Sequence, residues 1–334
     1  MTAAPAYTPF SAADLAIDAE AEIARIGAAL RQSLRTDLKR RGLVLGLSGG
    51  VDSSVCAGLA AKAVGAERVF AVLMPERDSD PESLELGRAV AETFGIPYVV
   101  EDIGPMLDAM GCYARRDAAI RELVPEFGPG WGCKAVIANS LEADGYAITF
   151  LVVASPEGET RRLRMSAHVY QAVIAATNMK QRTRKQLEYY HADRLNFAVI
   201  GTPNRLEYDQ GFFVKNGDGA ADIKPIAHLY KSQVYQLAQA LGVPAGITAR
   251  PPTTDTWSLP QGQDEFYFSA PYRQMDLCLL GLNRGVPAAE VAAASGLTPD
   301  QVTRIWADIE GKRRTTRYLH LSPRLVEPVV ELAL

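Results

Sequence analysis

The residue types with the clearest chemistry stand together in one stretch, residues 46–54, which reads GLSGGVDSS. It follows the apolar residues 43–45 and precedes the apolar, helix-compatible residues 55–60, a pattern of strand, glycine-rich turn and helix. Such a turn aims backbone N–H groups and a helix N-terminus at one anion, usually a phosphate. Asp52 would repel a phosphate unless a cation lies between them, which predicts a bound Mg²⁺. The plain structural alternative is a tight turn before a capped helix.

The loop lacks the lysine of the common nucleotide loop GxxxxGK[ST], because residues 51–53 read VDS. The string SGGVDS resembles the pyrophosphate loop of the N-type ATP pyrophosphatases. This resemblance implies that the loop grips the β,γ-pyrophosphate of ATP while the α-phosphate is attacked, so that an adenylate and pyrophosphate form. The motif identifies the superfamily and leaves the acceptor substrate open.

A second group of charged residues begins where the apolar strand pattern of 197–202 ends. Residues 201–231 read GTPNRLEYDQGFFVKNGDGAADIKPIAHLYK, and taken alone this stretch would suit a solvated surface loop. In order and spacing it strongly resembles the NAD synthetase family. Three further stretches carry the same resemblance: NMKQRTR at 178–184, RPPTTD at 250–255 and QDE at 263–265. The resemblance covers about residues 43–102 and 178–276.

The resemblance implies a role for each matching position. ATP would be bound by Gly46, Leu47, Ser48, Gly49, Gly50, Val51, Asp52, Ser53, Thr202, Lys231 and Thr253. Deamido-NAD would be bound by Arg182, Lys215, Asp222 and Lys312. The metal ligands would be Asp52 and Glu207, and the catalytic residues Asp52, Lys215 and Lys231. Carboxylate oxygens suit Mg²⁺, and lysines can neutralise charge that develops on a transferring phosphate.

The implied reaction uses ATP as co-substrate and proceeds in two steps. The carboxylate of deamido-NAD attacks the α-phosphorus, and ammonia then converts the acyl-adenylate to NAD and AMP. Only about forty residues precede the first predicted strand, too few for an amidase domain. Position two is Thr2, where class-II amidotransferases use a cysteine. We therefore expect free ammonia or a separate glutaminase subunit, and the resemblance also implies a homodimer.

Composition predicts one globular chain in the cytoplasm. The 334 residues are 48% hydrophobic and 22% charged, with a net charge of −4, so bulk electrostatics favours no nucleic-acid partner. The four cysteines lack CxxC spacing, which argues against a zinc site or a disulfide framework. Neither a membrane-spanning apolar run nor a signal peptide is evident.

Alternating strand and helix patterns predict an α/β fold with a doubly wound, mainly parallel sheet, similar to the adenine-nucleotide alpha-hydrolases. Predicted strands lie at 43–46, 68–74, 98–102 and 197–202, and predicted helices at 12–40, 54–64, 81–94, 167–194 and 229–241. We expect a single domain over 1–334. Its parts are an N-terminal helix within 1–41, an insertion at 104–168 and a helical C-terminal part at 271–334. The insertion contains a loop at 128–132 and a β-hairpin formed by 146–153 and 160–166.

Two departures from the family pattern leave an alternative open. Gly311 stands before Lys312 where the family has histidine, and 112–168 has no counterpart in the compact ammonia-dependent enzymes. The alternative is an ATP-dependent amide ligase of the same fold that acts on another carboxylate. A DNA-binding regulator is a second alternative, because 288–310 has a helix-turn-helix pattern followed by basic residues. A tRNA-modifying enzyme would need paired cysteines or a basic platform, and neither is evident.

Overall fold

Four parallel strands form the main sheet of the computed structural model, which describes residues 9–137, 149–254, 256–268 and 270–330. The strands are β1 Leu43–Gly46, β2 Val69–Leu73, β3 Tyr98–Val100 and β7 Ala198–Val199, in the order β3-β2-β1-β7. The chain runs from β1 outward to β3 and then returns to the other side of β1, as in doubly wound folds. The predicted fold class is confirmed. The last predicted strand, 197–202, is shorter than expected, because Ile200 pairs with Ile223 outside the named strands.

Helices cover this sheet and form the C-terminal part. The helices of the described residues are α1 Ala19–Thr36, α2 Val51–Val64, α3 Pro81–Thr93, α4 Gly104–Ala109, α5 Cys112–Arg121, α6 Ala167–Leu195, α7 Arg205–Gln210, α8 Lys231–Leu241, α9 Ala245–Thr248, α10 Gln263–Phe266, α11 Tyr272–Arg284, α12 Ala288–Ser295 and α13 Pro299–Thr316. Short 3-10 helices lie at Ala12–Leu15, Ala66–Arg68 and Arg317–His320. Among the described residues, no helix has the length and apolarity that a membrane crossing requires.

Both faces of the main sheet are buried, which explains why β1 is apolar up to its final glycine. Leu43 and Leu45 belong to a core that contains residues of α1, α2 and α8. Val44 belongs to a second core on the other face, with residues of α4, α5 and α6. Successive side chains of a strand point to opposite faces, so a strand between two helical layers needs apolar residues at every position.

A second sheet lies in the predicted insertion. It consists of β4 Gly132–Ile137, β5 Thr149–Ala154 and β6 Thr160–Arg164, all antiparallel, in the order β4-β5-β6. The predicted hairpin is therefore confirmed for β5 and β6, while its residues 146–148 lie outside the described residues. Sequence analysis missed β4, since it interpreted the glycines of 128–132 as a loop. Alternate residues of this sheet pack with Trp257 and the start of α6 in a separate core.

At both ends of the chain, the helices of the structure begin and end at other residues than predicted. The helical pattern of 12–40 divides at Ala16, which is extended, and Asp18 then caps α1 by accepting from the Ala21 N–H at 3.0 Å. At the other end, α12 and α13 pack on α11, and the Thr298 hydroxyl caps α13 through the Gln301 N–H at 3.2 Å. The helix-turn-helix pattern of the sequence thus corresponds to an ordinary packed helix pair.

Candidate active site

The predicted phosphate loop joins the carboxyl end of β1 to α2, the edge where open parallel sheets bind ligands. The Leu47 N–H donates to the Val72 carbonyl at 3.0 Å, which ties the loop to the neighbouring strand. Gly50 is the N-cap of α2 and offers no side chain to the amides of the first helical turn. The Ser53 hydroxyl folds back onto the Gly50 carbonyl at 3.0 Å. The loop therefore presents helix N-terminal amides, an arrangement suited to a phosphate.

Two glycines of the loop are required by close neighbours. Gly49 has a φ of +74°, and a Cβ there would lie 2.7 Å from the Ser83 carbonyl and 2.8 Å from Leu86 Cβ on α3. A Cβ on Gly46 would lie 2.7 Å from Glu188 Oε1 on α6. The loop thus fits against α3 because Gly49 carries no side chain, and at Gly46 it approaches the Glu188 carboxylate of α6 closely.

Asp52, Glu207 and Lys231 come together beside the loop, each in the first turn of a different helix. The buried Lys231 ammonium donates to Asp52 Oδ2, and Asn204 Nδ2 donates to Asp52 Oδ1 at 3.2 Å. Glu207 accepts from the Asn204 N–H at 3.1 Å and from Gln263 Nε2 at 3.0 Å. Three helix N-termini converge here, and their partial positive charges favour anions.

The electrostatics of this cluster is dominated by the two neighbouring carboxylates. Burial, and then repulsion by Asp52, raises the pKa of Glu207 to about 8. Burial lowers the pKa of Lys231, but Asp52 and Glu207 together raise it above its ordinary value. Lys231 therefore stays charged beside Asp52, whereas Glu207 keeps its proton near neutral pH until a further positive charge is bound.

A cation could be held by Asp52 and Glu207. The described residues contain no group of three or more His, Cys, Asp or Glu side chains that could hold a metal ion. Such a cation would therefore take further oxygen ligands from a bound molecule or water. This is the usual situation for Mg²⁺, which is held by one or two carboxylates together with phosphate oxygens.

One cavity of about 1080 Å³ lies over the loop and the charged cluster, just above the usual range for ligand sites. Most of the residues that sequence analysis selected line this cavity. They are Gly46, Leu47, Ser48, Gly49, Gly50, Val51, Asp52, Ser53, Arg182, Thr202, Glu207, Lys215, Lys231 and Thr253. Thus the structure brings together residues that are up to about two hundred positions apart in the chain.

Lys215 and Arg182 are linked to each other and to the C-terminal segment. Arg182 Nε donates to the Lys215 carbonyl at 3.2 Å. Lys215 Nζ donates to the Tyr318 carbonyl at 2.8 Å and lies 5.3 Å from the centre of the Tyr318 ring. Tyr318 itself lines the cavity, so the segment after α13 forms part of the wall beside the two cations.

Asp222 and Lys312 are not among the residues that line this cavity. Asp222 accepts from the Val199 N–H at 2.7 Å and from the Tyr189 hydroxyl at 3.3 Å, next to β7. Lys312 donates to the Tyr267 carbonyl at 2.5 Å and to Asp308 at 2.6 Å. Their roles in substrate binding stay predictions.

Sequence analysis missed a buried ion pair in the cavity wall. Lys185 and Glu188 lie three positions apart on α6, 2.5 Å from each other, and both line the cavity. Glu188 is the residue that faces Gly46. An opposite charge three residues later on a predicted helix was a usable signal, although it equally describes an exposed pair.

A buried ionic network beside the cavity was missed as well. Lys180 Nζ donates to Glu76 at 2.9 Å, to Asp78 at 2.7 Å and to the Thr256 carbonyl at 2.8 Å. Arg116 also pairs with Asp78, at 2.5 Å. These residues come from four separate segments, so no local spacing in the sequence marks them as a group.

Comparison with known proteins identifies the family. A family model described as NAD synthase matches residues 22–124 and 151–316, well over half of the chain. The chain belongs to the NAD synthase family. Within this family, a curated relative from Rhizobium meliloti (strain 1021) named "NH(3)-dependent NAD(+) synthetase" is 69% identical over 97% of this chain and 96% of its own length. The resemblance seen in the motifs is therefore confirmed, and the alternative amide ligase for another carboxylate is not favoured.

Two solved structures share the fold of this NAD synthase family member. One is the NMN synthetase from Francisella tularensis, with a TM-score of 0.63 and 22% identity over 93% of this chain and all of that one. The other is the NH3-dependent NAD synthetase from Campylobacter jejuni subsp. jejuni NCTC 11168, with a TM-score of 0.60 and 21% identity over the same shares. The NAD synthase family model leaves 125–150 unmatched, inside the predicted insertion of 104–168, whose boundaries stay a prediction.

Proposed function

We propose that this chain converts deamido-NAD to NAD with ATP and ammonia and releases AMP and pyrophosphate. Membership of the NAD synthase family and the relative at 69% identity support the reaction. The observation that carries the proposal is a single cavity. Its wall combines the predicted phosphate loop, the carboxyl groups of Asp52 and Glu207 beside the buried Lys231, and further cations that include Arg182 and Lys215.

In the first step, a carboxylate oxygen of deamido-NAD attacks the α-phosphorus of ATP. The bond between the α-phosphorus and its bridging oxygen breaks, and pyrophosphate leaves with that electron pair. The loop amides and Ser53 hold the leaving pyrophosphate, while Lys231 and Lys215 stabilise the negative charge that develops on it. Arg182 and Lys215 are the cations proposed for the phosphates of the dinucleotide.

In the second step, ammonia attacks the acyl carbon of the adenylate. AMP leaves, and the attacking nitrogen releases a proton to give the amide. Adenylation is needed because a free carboxylate would have to expel oxide. No enzyme nucleophile takes part in this mechanism. This agrees with the cavity wall, whose cationic side chains can stabilise negative charge.

We propose that Asp52 and Glu207 hold a Mg²⁺ ion together with ATP. The donor set fits, because two carboxylates share one ammonium and the pKa of Glu207 is raised by burial and by Asp52. The ion would supply positive charge to the phosphates when bound. Asp52 and Glu207 are kept in place for it by Asn204, which bonds both.

We propose a homodimer in the cytoplasm. All four cysteines are free and buried, as suits a reducing compartment. Edge strand β3 and α4 carry partly exposed apolar side chains, which are Tyr98, Val100, Met106 and Met110. Exposed apolar side chains on two successive elements suit a subunit contact. Light scattering after gel filtration should give twice the chain mass, and Met106→Glu with Met110→Glu should reduce it to one chain.

The reaction is tested by incubating the full chain with ATP, Mg²⁺, ammonium chloride and deamido-NAD. We expect NAD, AMP and pyrophosphate in equal amounts. With ¹⁸O in the deamido-NAD carboxylate, one labelled oxygen should appear in AMP, because that oxygen bridges the adenylate. Glutamine in place of ammonium should give no product unless a glutaminase is added.

Two outcomes would overturn the proposal. One is amidation of another carboxylic acid with no turnover of deamido-NAD. The other is formation of ADP and phosphate, since the nucleophile would then attack the γ-phosphorus and no adenylate would exist.

A further inference from the structure

A second cleft lies away from the cavity described above and is lined by five arginines. Its volume is about 810 Å³. The arginines are Arg31, Arg35, Arg40, Arg41 and Arg68, and the other lining residues are Ala28, Gln32, Leu34, Thr36 and Val64. The wall contains no carboxylate, although the chain has 39 acidic and 35 basic residues. The cleft therefore has a charge opposite to that of the whole molecule.

The cleft and the candidate active site lie at opposite edges of the main sheet. Arg41 and Arg68 come just before β1 and β2, at the amino ends of these strands. The phosphate loop follows the carboxyl end of β1. Four strand residues, at roughly 3.3 Å each, separate the two edges along β1. An anion in the cleft thus could not be the nucleotide that reacts at the loop.

Backbone contacts fix the positions from which two of the arginines extend. The Arg40 N–H donates to the Leu34 carbonyl at 3.0 Å, and the Arg41 N–H donates to the Asn196 carbonyl at 2.9 Å. The turn after α1 is therefore tied both to that helix and to the end of α6. A ligand that binds here would not have to order the backbone first.

The guanidinium groups of the five arginines have N–H donors left for a ligand. Arg31 uses one nitrogen on the Ala63 carbonyl at 3.2 Å, and Arg68 uses Nε on the Arg41 carbonyl at 2.7 Å. Within the described ranges, none of the five guanidinium groups takes part in an ion pair, and all five residues are exposed. Arginine remains charged at any physiological pH and has five N–H donors, so most donors in this wall are available.

We propose that this arginine cleft is a second anion site that binds a small ligand with two or more linked phosphates. Several permanent positive charges around one concavity match a multivalent anion, since a single monovalent ion would leave most of the repulsion uncompensated. The volume lies within the range of small-molecule sites, whereas a nucleic acid needs an extended track. The wall has no aromatic side chain, so recognition depends on phosphate charge.

The test is calorimetric titration of the full chain with inorganic tripolyphosphate at 0.15 M NaCl in the presence of Mg²⁺, so that Asp52 does not repel the anion at the loop. Wild type should bind two molecules per chain, one at the phosphate loop and one in the cleft. Arg35→Ala with Arg40→Ala should bind one, or bind the second at least tenfold more weakly, because a hydrogen bond to a charged group contributes about a factor of ten or more. Its ATP-dependent activity should be unchanged.

A matched control removes two other exposed arginines, Arg162 and Arg164 on β6, which lie outside the cleft. This double alanine variant changes the net charge equally and should still bind two molecules. Arg35→Lys with Arg40→Lys keeps the charge but loses the planar donor pair, and should bind with intermediate affinity. Thermal unfolding midpoints of all variants verify that they are folded.

Three results would overturn the inference. One is that the Arg35 and Arg40 variant binds two molecules with wild-type affinity. Another is that the Arg162 and Arg164 variant loses the second molecule equally, which would indicate general charge attraction. The third is that a single-stranded oligonucleotide binds through these arginines and tripolyphosphate does not.

The source of the phosphates is distinguished by repeating the titration with cytidine triphosphate. Tighter binding of the nucleotide in the cleft would assign a nucleotide as the ligand. Equal or weaker binding would assign the inorganic anion. Either result supports an anion site at these arginines.

Discussion

At the scale of single residues, the absence of a Cβ atom at position 49 allows the predicted phosphate loop to form. Gly49 is in the left-handed region and faces α3, whereas Gly50 has an ordinary φ of −82° and only Ser48 Oγ, at 3.4 Å, near its absent Cβ. The two neighbouring glycines therefore have different structural requirements. This difference cannot be seen from the sequence alone.

Gly49→Ala should destabilise the fold by about 1–3 kcal/mol and raise the KM for ATP, since the new methyl group meets Ser83 and Leu86 while φ is strained. Gly50→Ala is the control for the steric clash, since its new methyl group would meet only Ser48 Oγ, and it should lower the free energy of unfolding less. Urea unfolding and initial rates at varied ATP measure this. Equal effects of the two variants would contradict the geometry.

Lys231 is the residue on which the charge balance of the site depends. Lys231→Met leaves Asp52 and Glu207 without their ammonium, so we expect kcat/KM to fall by about a hundredfold or more. AMP release measures the effect. Lys62→Met removes an exposed ammonium near Glu20 and should keep wild-type activity. If kcat/KM falls equally in both variants, the Lys231 ammonium has no specific function in the reaction.

At the scale of elements, Lys231 is positioned by the contact between α8 and α11. Asp276 of α11 is fully buried and accepts from the Lys231 N–H at 3.1 Å and from the Ser232 N–H and hydroxyl, each at 2.6 Å. A carboxylate from one helix thus caps the N-terminus of another. Burial nevertheless outweighs these hydrogen bonds and raises the pKa of Asp276 to about 6.

This raised pKa predicts a pH dependence of stability. The folded state holds the Asp276 proton more tightly than the unfolded state, where the ordinary pKa is 3.8. Its contribution is therefore complete below about pH 4 and is lost as the pH rises through about 6. The free energy of unfolding of wild type relative to Asp276→Asn should fall by on the order of 2 kcal/mol between pH 4 and pH 7. A difference that grows with pH would contradict this assignment.

At the scale of the molecule, the Lys180 network holds four segments around the site, one of which is α5 through the pair of Arg116 and Asp78. Glu76 and Asp78 follow β2, Lys180 lies on α6, and Thr256 belongs to the segment before α10. The side chains of Lys180, Glu76 and Asp78 are almost fully buried where they meet. Burial of an ion pair does not guarantee a net gain in stability, but loss of one partner leaves a buried charge uncompensated.

Lys180→Met should therefore lower the free energy of unfolding by about 3–5 kcal/mol. Urea denaturation measures this free energy, and thermal unfolding gives a second measure of stability. Lys62→Met serves again as the control, and we expect a change within about 0.5 kcal/mol because its partner is exposed. A loss below about 1 kcal/mol at Lys180 would mean that Arg116 alone compensates Asp78.

Local patterns predicted most of the elements around the site. The strands β1, β2 and β3, the helices α2, α3 and α6, and the hairpin of β5 and β6 follow from apolar periodicity and from glycine and proline positions. The β4 strand was missed because its pairing with β5 is long-range, and its first residue is Gly132. The Lys180 network was missed for a related reason, since its partners are distant in sequence.

The sequence by itself determined the fold class and the family and predicted the phosphate loop, because these depend on residue order within short stretches that fold locally. It also selected fourteen residues that the tertiary structure brings to one cavity. Only the tertiary structure decided that Lys231 neutralises Asp52, that Asp222 and Lys312 lie outside this wall, and that five arginines share a second cleft. Charge balance and burial depend on distances between segments, and those distances exist only after the sheet and its helices have packed together.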